Sequence, residues 1–182
     1  MASETLKHRP PPKDELATAT AGSTKDQKLA LARRGLRSLA VAVAIPTVAT
    51  AASISVAGTS ISAAVAASPS GTRLMWAFHV GSLLMSGLLG LSAWLVWAKG
   101  GFHGRSEALP LYLAELVMEL LWAPLLFGSR SAWPAMAVCA AHFVVLFLLA
   151  QSFRHVNPVA ADLIKPYLAW VSFLAVVNYL LL

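Results

Sequence analysis

PLYLAELVMELLWAPLLFG, from Pro110 to Gly128, is apolar over a length that can span a bilayer, yet it carries two carboxylates, Glu115 and Glu119. On a helix these lie about 40° apart, and Trp122 falls about 20° to the other side of Glu115, so all three share one face. Placing an ionisable residue at a bilayer centre costs roughly 2.5–3.5 kcal/mol, which turns such residues toward a bundle interior or a water-filled cavity. Two ionised carboxylates about 6 Å apart would also repel by roughly 3 kcal/mol at an effective dielectric near 20. The pair is therefore expected to face inward and not to be ionised together.

The rest of the chain has the same character. Of 182 residues, 58% are hydrophobic and 12% charged, and the mean hydropathy is +0.68. Uncharged runs exceed the roughly 20 residues needed to cross the hydrocarbon, which predicts an all-α, polytopic membrane protein. The formal charge of +6 does not point to nucleic acid. Residues 1–37 hold eight Lys/Arg and four Asp/Glu, so +4 of that charge sits in a tail beside the membrane, where it serves orientation and attraction to anionic lipid. Cys139 is the sole cysteine, inside an apolar run, which excludes an intramolecular disulfide and reads as a small buried hydrophobe.

Residues 1–24 are polar and rich in Pro, Ser and Thr, with no apolar run behind a basic start as a cleavable signal would need; they read as disordered. KDQKLALARRGLR, 25–37, reads either as a short interfacial amphipathic helix or as a solvated basic linker. Five spans follow, at about 38–60, 74–98, 108–128, 131–153 and 158–181, making a five-helix transmembrane domain over 38–182. Pro46 can kink the first, and ISAAVAASPSGT, 61–72, is the loop after it. In the second span Ser82, Ser86 and Gly90 recur every four residues as a small-residue seam, and Trp94 and Trp97 suit an interfacial belt. Trp76 and His79 share a face, and an imidazole within a span needs a polar partner, water or a ligand. His142, in the fourth span, reads first as a packed, hydrogen-bonded histidine. Asn157 reads as an N-cap with Pro158 at the first helical position, and Pro166 frees the carbonyl of Asp162 one turn into the last span.

Five spans put the termini on opposite sides. Lys25, Lys28, Arg33, Arg34, Arg37, Lys99, Arg105 and Arg154 then lie on the N-terminal side against Arg73 and Arg130 on the other, which predicts a cytosolic N-terminus. Trp76, Trp122 and Trp170 give three spans an inward-capable indole, with Tyr167 and Phe173 flanking the last. Such rings with a few polar groups can wall a pocket for a flat, mostly apolar ligand, or can simply fill the core or sit in lipid.

AWLVW at 93–97, LYLAEL and ELLWAPLLFG within 111–128, and LIKPYLAWVSFLAVVNY at 163–179 resemble, in that order, the translocator protein family, also called tryptophan-rich sensory proteins or peripheral benzodiazepine receptors. The basic lead-in resembles the plant branch. The resemblance implies a five-helix bundle, often a homodimer in the lipid bilayer, whose cavity binds porphyrin or haem and sterols as ligands, with no obligate cofactor. It implies that Trp76 and Trp170 handle porphyrin, that Trp122, Tyr167 and Asn178 stand around the cavity, and that the protein serves stress responses from endoplasmic reticulum or Golgi membranes, with mitochondrial outer membrane or plastid as alternatives. Glu115 and Glu119 stand where relatives commonly carry Gln and Asn, which makes this cavity more acidic, and 61–72 lacks the family's Trp/Pro-rich lid. Trp76, His79, Glu115, Glu119, Trp122, Tyr167, Trp170, Phe173 and Asn178 are the candidate ligand-binding residues, with His79 a candidate axial ligand for haem iron. Porphyrin degradation or ligand transport are the competing readings. No zinc-ligand spacing, nucleophile elbow or phosphate loop gives enzyme chemistry independent support.

Overall fold

The computed structural model describes residues 13–66, 71–104, 107–128 and 132–180. These form α1 (Lys13–Ala66), α2 (Gly71–Ala98), α3 (Gly101–Gly104), α4 (Ala108–Gly128), α5 (Ala132–Arg154) and α6 (Pro158–Leu180). No strand occurs among the described residues. Among the described residues, five stretches are long and apolar enough to cross a membrane: Leu29–Gly58, Met75–Ala98, Ala108–Leu125, Met136–Arg154 and Pro158–Val177. The chain divides into two units, Met1–Ser38 and Leu39–Leu182. Within the first, the described residues are helical from Lys13, earlier than the sequence suggests: LATATAG and KLALARR are rich in Ala and Leu, strong helix formers. The expected loop at 61–72 is shorter, because Ile61–Ala66 continue α1 and Gly71 already belongs to α2; its centre, 67–70, lies outside the described residues.

Punctuation at the other end of the bundle follows the sequence closely. Gly100 ends α2 at φ 72°, a left-handed conformation that glycine adopts without a Cβ clash, and its N–H bonds Trp97 O at 2.8 Å. Asn157 Oδ1 accepts from Val159 N at 3.2 Å, capping α6 with Pro158 as its first residue.

Within Leu39–Leu182, buried side chains form two apolar clusters. One joins Leu89, Ala93 and Val96 of α2 to Tyr112 of α4, Leu146, Leu149 and Phe153 of α5 and Ala160, Ile164 and Val171 of α6. The other joins Ala57, Trp122, Ala123 and Leu174, with Phe78 and Trp170 packed against it. Between them along the helices come Thr50, Ser53, Glu115, Glu119 and His142, all buried polar residues. The carboxyl and imidazole groups of the bundle interior thus lie in a layer between the two apolar clusters. Outward faces are apolar: Leu113, Val117 and Leu121 of α4 and Val144, Phe147 and Leu148 of α5 are exposed, as a lipid-facing surface requires.

Close helix approach depends on small residues. A Cβ on Gly90 would stand 2.5 Å from Ala42 O and 3.0 Å from Pro46 Cγ, so Gly90 is where α1 crosses α2. A Cβ on Gly81 would overlap the Trp170 ring. Ser92 Oγ donates to Ala160 O at 2.7 Å and ties α2 to α6. α2 therefore meets its neighbours on two opposite faces, α1 at Gly90 and α6 at Gly81 and Ser92.

Candidate functional site

Glu115 and Glu119 are fully buried, as the helical face requires. Each has found a partner on another helix. His142 Nε2 lies 2.6 Å from Glu115 Oε1, joining α5 to α4. Thr50 Oγ1 donates to Glu119 Oε1 at 2.5 Å, joining α1 to α4, and Tyr167 OH of α6 makes a longer contact to the same oxygen at 3.4 Å. Tyr167 also packs edge-on against the His142 ring, centroids 5.6 Å apart. Ser53 Oγ accepts from Ala123 N at 3.3 Å, a second tie between α1 and α4. One oxygen of each carboxyl, Oε2, is buried without a hydrogen-bond partner. Such groups are costly in a dry interior, which makes this layer a place where water or a ligand's donors would be stabilising.

Next to it lies the aromatic group. Phe78 of α2 sits between Trp122 of α4 and Trp170 of α6, with ring centroids 5.3 Å and 6.5 Å away, and Trp170 continues to Phe173 at 5.6 Å. Trp122, Trp170, Tyr167, His142, Cys139 and Ser82 wall a cavity of about 10 Å³, room for one water. Trp170 Nε1 and Ser82 Oγ are buried there without partners. The imidazole and phenol on this wall are the groups that hold the two glutamates, so the polar layer and the aromatic cavity share His142 and Tyr167.

The candidates from sequence are thereby sorted. Glu115, Glu119, Trp122, Tyr167 and Trp170 come together. Phe173 touches the group through Trp170 and is itself half exposed. His79 is half-buried beside Phe78, with Nε2 enclosed and unpartnered. Trp76 differs from expectation: it is 63% exposed and does not line the cavity, because Met75 and Phe78 supply the inward packing of that turn of α2. The Asn178 side chain lies outside those described. Sequence reasoning missed Thr50, one of many hydroxyl residues in α1, and Ser82 as a cavity residue. His142 is the packed, hydrogen-bonded histidine that the sequence suggests, and the structure adds its partner, Glu115.

Residues 38–182 match the model of the TspO/MBR family. The chain is 44% identical over 155 residues to a translocator protein homolog of Arabidopsis thaliana, covering 85% of this chain and 79% of that one. It is 32% identical over 93 residues to the human translocator protein, covering 50% and 55%, and 27% identical over 104 residues to a tryptophan-rich sensory protein of Cereibacter sphaeroides, covering 57% and 64%. No solved structure matches the chain. With the family pattern spanning all five membrane helices and the polar and aromatic layers they enclose, the chain belongs to the TspO/MBR family.

Proposed function

We propose that this protein is an intramembrane receptor or scavenger that takes up tetrapyrroles, porphyrin and haem, and also sterols, in the cavity between α2, α4, α5 and α6, in a stress response. The observation that carries the reading is the aromatic group of Phe78, Trp122 and Trp170 set directly against unpartnered polar atoms of Ser82 and Trp170. Flat apolar surface beside a few polar groups is what a heteroaromatic ring system fits. The cavity is narrow in this conformation, so a macrocycle enters only as Trp170 and Phe78 turn aside. Trp170 and Phe78 are both only half-buried, so both have room outward. In this reading the protein acts in endoplasmic reticulum or Golgi membranes with its N-terminus cytosolic, as a homodimer.

Titrating purified protein with protoporphyrin IX in the dark should quench tryptophan fluorescence saturably; a linear, unsaturable response would reject the receptor reading. Illumination separates it from turnover, since a receptor leaves the porphyrin spectrum intact. His79, whose Nε2 is enclosed and unpartnered, is the candidate for haem iron. His79→Ala should weaken haem binding while sparing metal-free porphyrin; equal loss of both would leave His79 an ordinary polar contact.

A further inference from the structure

A second cleft lies at the end of the bundle remote from the aromatic cavity. It has a volume of about 490 Å³ and opens between the start of α4 and the end of α5. Its walls are Leu111 and Leu148, apolar, and Glu107, Gln151, Ser152 and His155, polar. Ser152 is 5% exposed and its Oγ is fully enclosed with no hydrogen-bond partner, whereas Ser92 and Ser172 both satisfy theirs on backbone carbonyls. An enclosed hydroxyl without a partner is stabilised by any acceptor brought within its reach. Glu107 and His155 are exposed at the rim, an acid on one wall and an imidazole on the other. On α5, Val144, Leu148 and Gln151 follow at helical spacing on one face, with His155 in the turn just past its end, apolar toward the middle of the span and polar at its end. The first two are exposed, so an apolar track leads from the cleft toward the bilayer centre.

We infer that this cleft is a binding site for a glycerophospholipid with a primary-amine headgroup. Amphiphile chemistry follows from the polar end and the apolar track. An amine follows from Glu107, which attracts an ammonium and repels a purely anionic headgroup. His155 and Gln151 face the phosphate, the Ser152 hydroxyl donates to an ester carbonyl, and the acyl chain lies along Leu148 and Val144. A primary ammonium is favoured over its trimethylated counterpart because it alone can donate hydrogen bonds to the carboxylate.

The test is competitive retention of dioleoyl lipids on the full chain in detergent, read by native mass spectrometry, with phosphatidylethanolamine, phosphatidylcholine and phosphatidylglycerol in equal amount. Phosphatidylethanolamine should be enriched by about tenfold, the size of one charge-assisted hydrogen bond. Glu107→Gln, at an exposed position, should abolish the advantage over phosphatidylcholine, and Ser152→Ala should lower retention of all three lipids. Equal retention of the three by the unaltered protein would overturn the proposal, as would an ethanolamine preference that survives Glu107→Gln.

Discussion

His142 Nε2 and Glu115 Oε1 stand 2.6 Å apart in the middle of the bundle, both side chains out of reach of solvent. A pair of this kind contributes little over an apolar replacement of both partners, but removing one leaves the other buried and unpaired. Thus His142→Leu alone should destabilise the protein by about 3–5 kcal/mol. Combined with Glu115→Met it should recover most of that loss. Thermal unfolding of the two singles and the double in detergent measures the coupling, and additive losses would show that the two residues act independently.

Glu119 makes a different demand. Its Oε1 accepts from Thr50 and faces Tyr167, so the fold needs an acceptor there and has no evident use for a charge. Glu119→Gln should therefore fold with stability close to that of the parent. Glu119→Leu strands the Thr50 hydroxyl and should cost about 1–3 kcal/mol. Unfolding midpoints of the two variants in one detergent should differ in that order.

The crossing of α1 and α2 rests on Gly90, where any side chain meets backbone that cannot move aside. Gly90→Ala should cost about 1–3 kcal/mol through overpacking. Gly87 on the same helix has open space around it, so Gly87→Ala should be neutral or slightly stabilising. Equal effects at the two glycines, measured as thermal midpoints, would contradict a close crossing at Gly90.

Why the two glutamates could be foreseen and Thr50 could not is a matter of cost. A carboxyl within an apolar span has few tolerable positions, so composition alone turns Glu115 and Glu119 inward. A hydroxyl can satisfy itself on its own helix, as Ser172 does on Leu168 O, and so declares nothing about its neighbours from sequence. Helix ends were legible at Gly100 and Asn157, where backbone chemistry is specific. Trp76 is the converse case: an indole is stable in the core or toward lipid, and periodicity does not choose between them where Phe78, two residues on, takes the inward place.

That difference in placement separates the two tryptophans functionally. Trp170 lines the cavity and packs, tilted, against Phe78 and Phe173, whereas Trp76 is largely exposed. Trp170→Phe retains a flat ring and should keep most porphyrin affinity. Trp170→Ala removes buried aromatic surface and should weaken binding by about 1–3 kcal/mol. Trp76→Ala should cost clearly less than Trp170→Ala, because the side chain makes no wall of the cavity. Dissociation constants from protoporphyrin titrations of the three variants decide it. Because two of the variants lack an indole that reports on binding, porphyrin absorbance is the readout common to all. A loss at Trp76 as large as that at Trp170 would mean that the ligand reaches α2's outer face, and that the bound cavity extends beyond the one enclosed by Trp122, Tyr167 and Trp170.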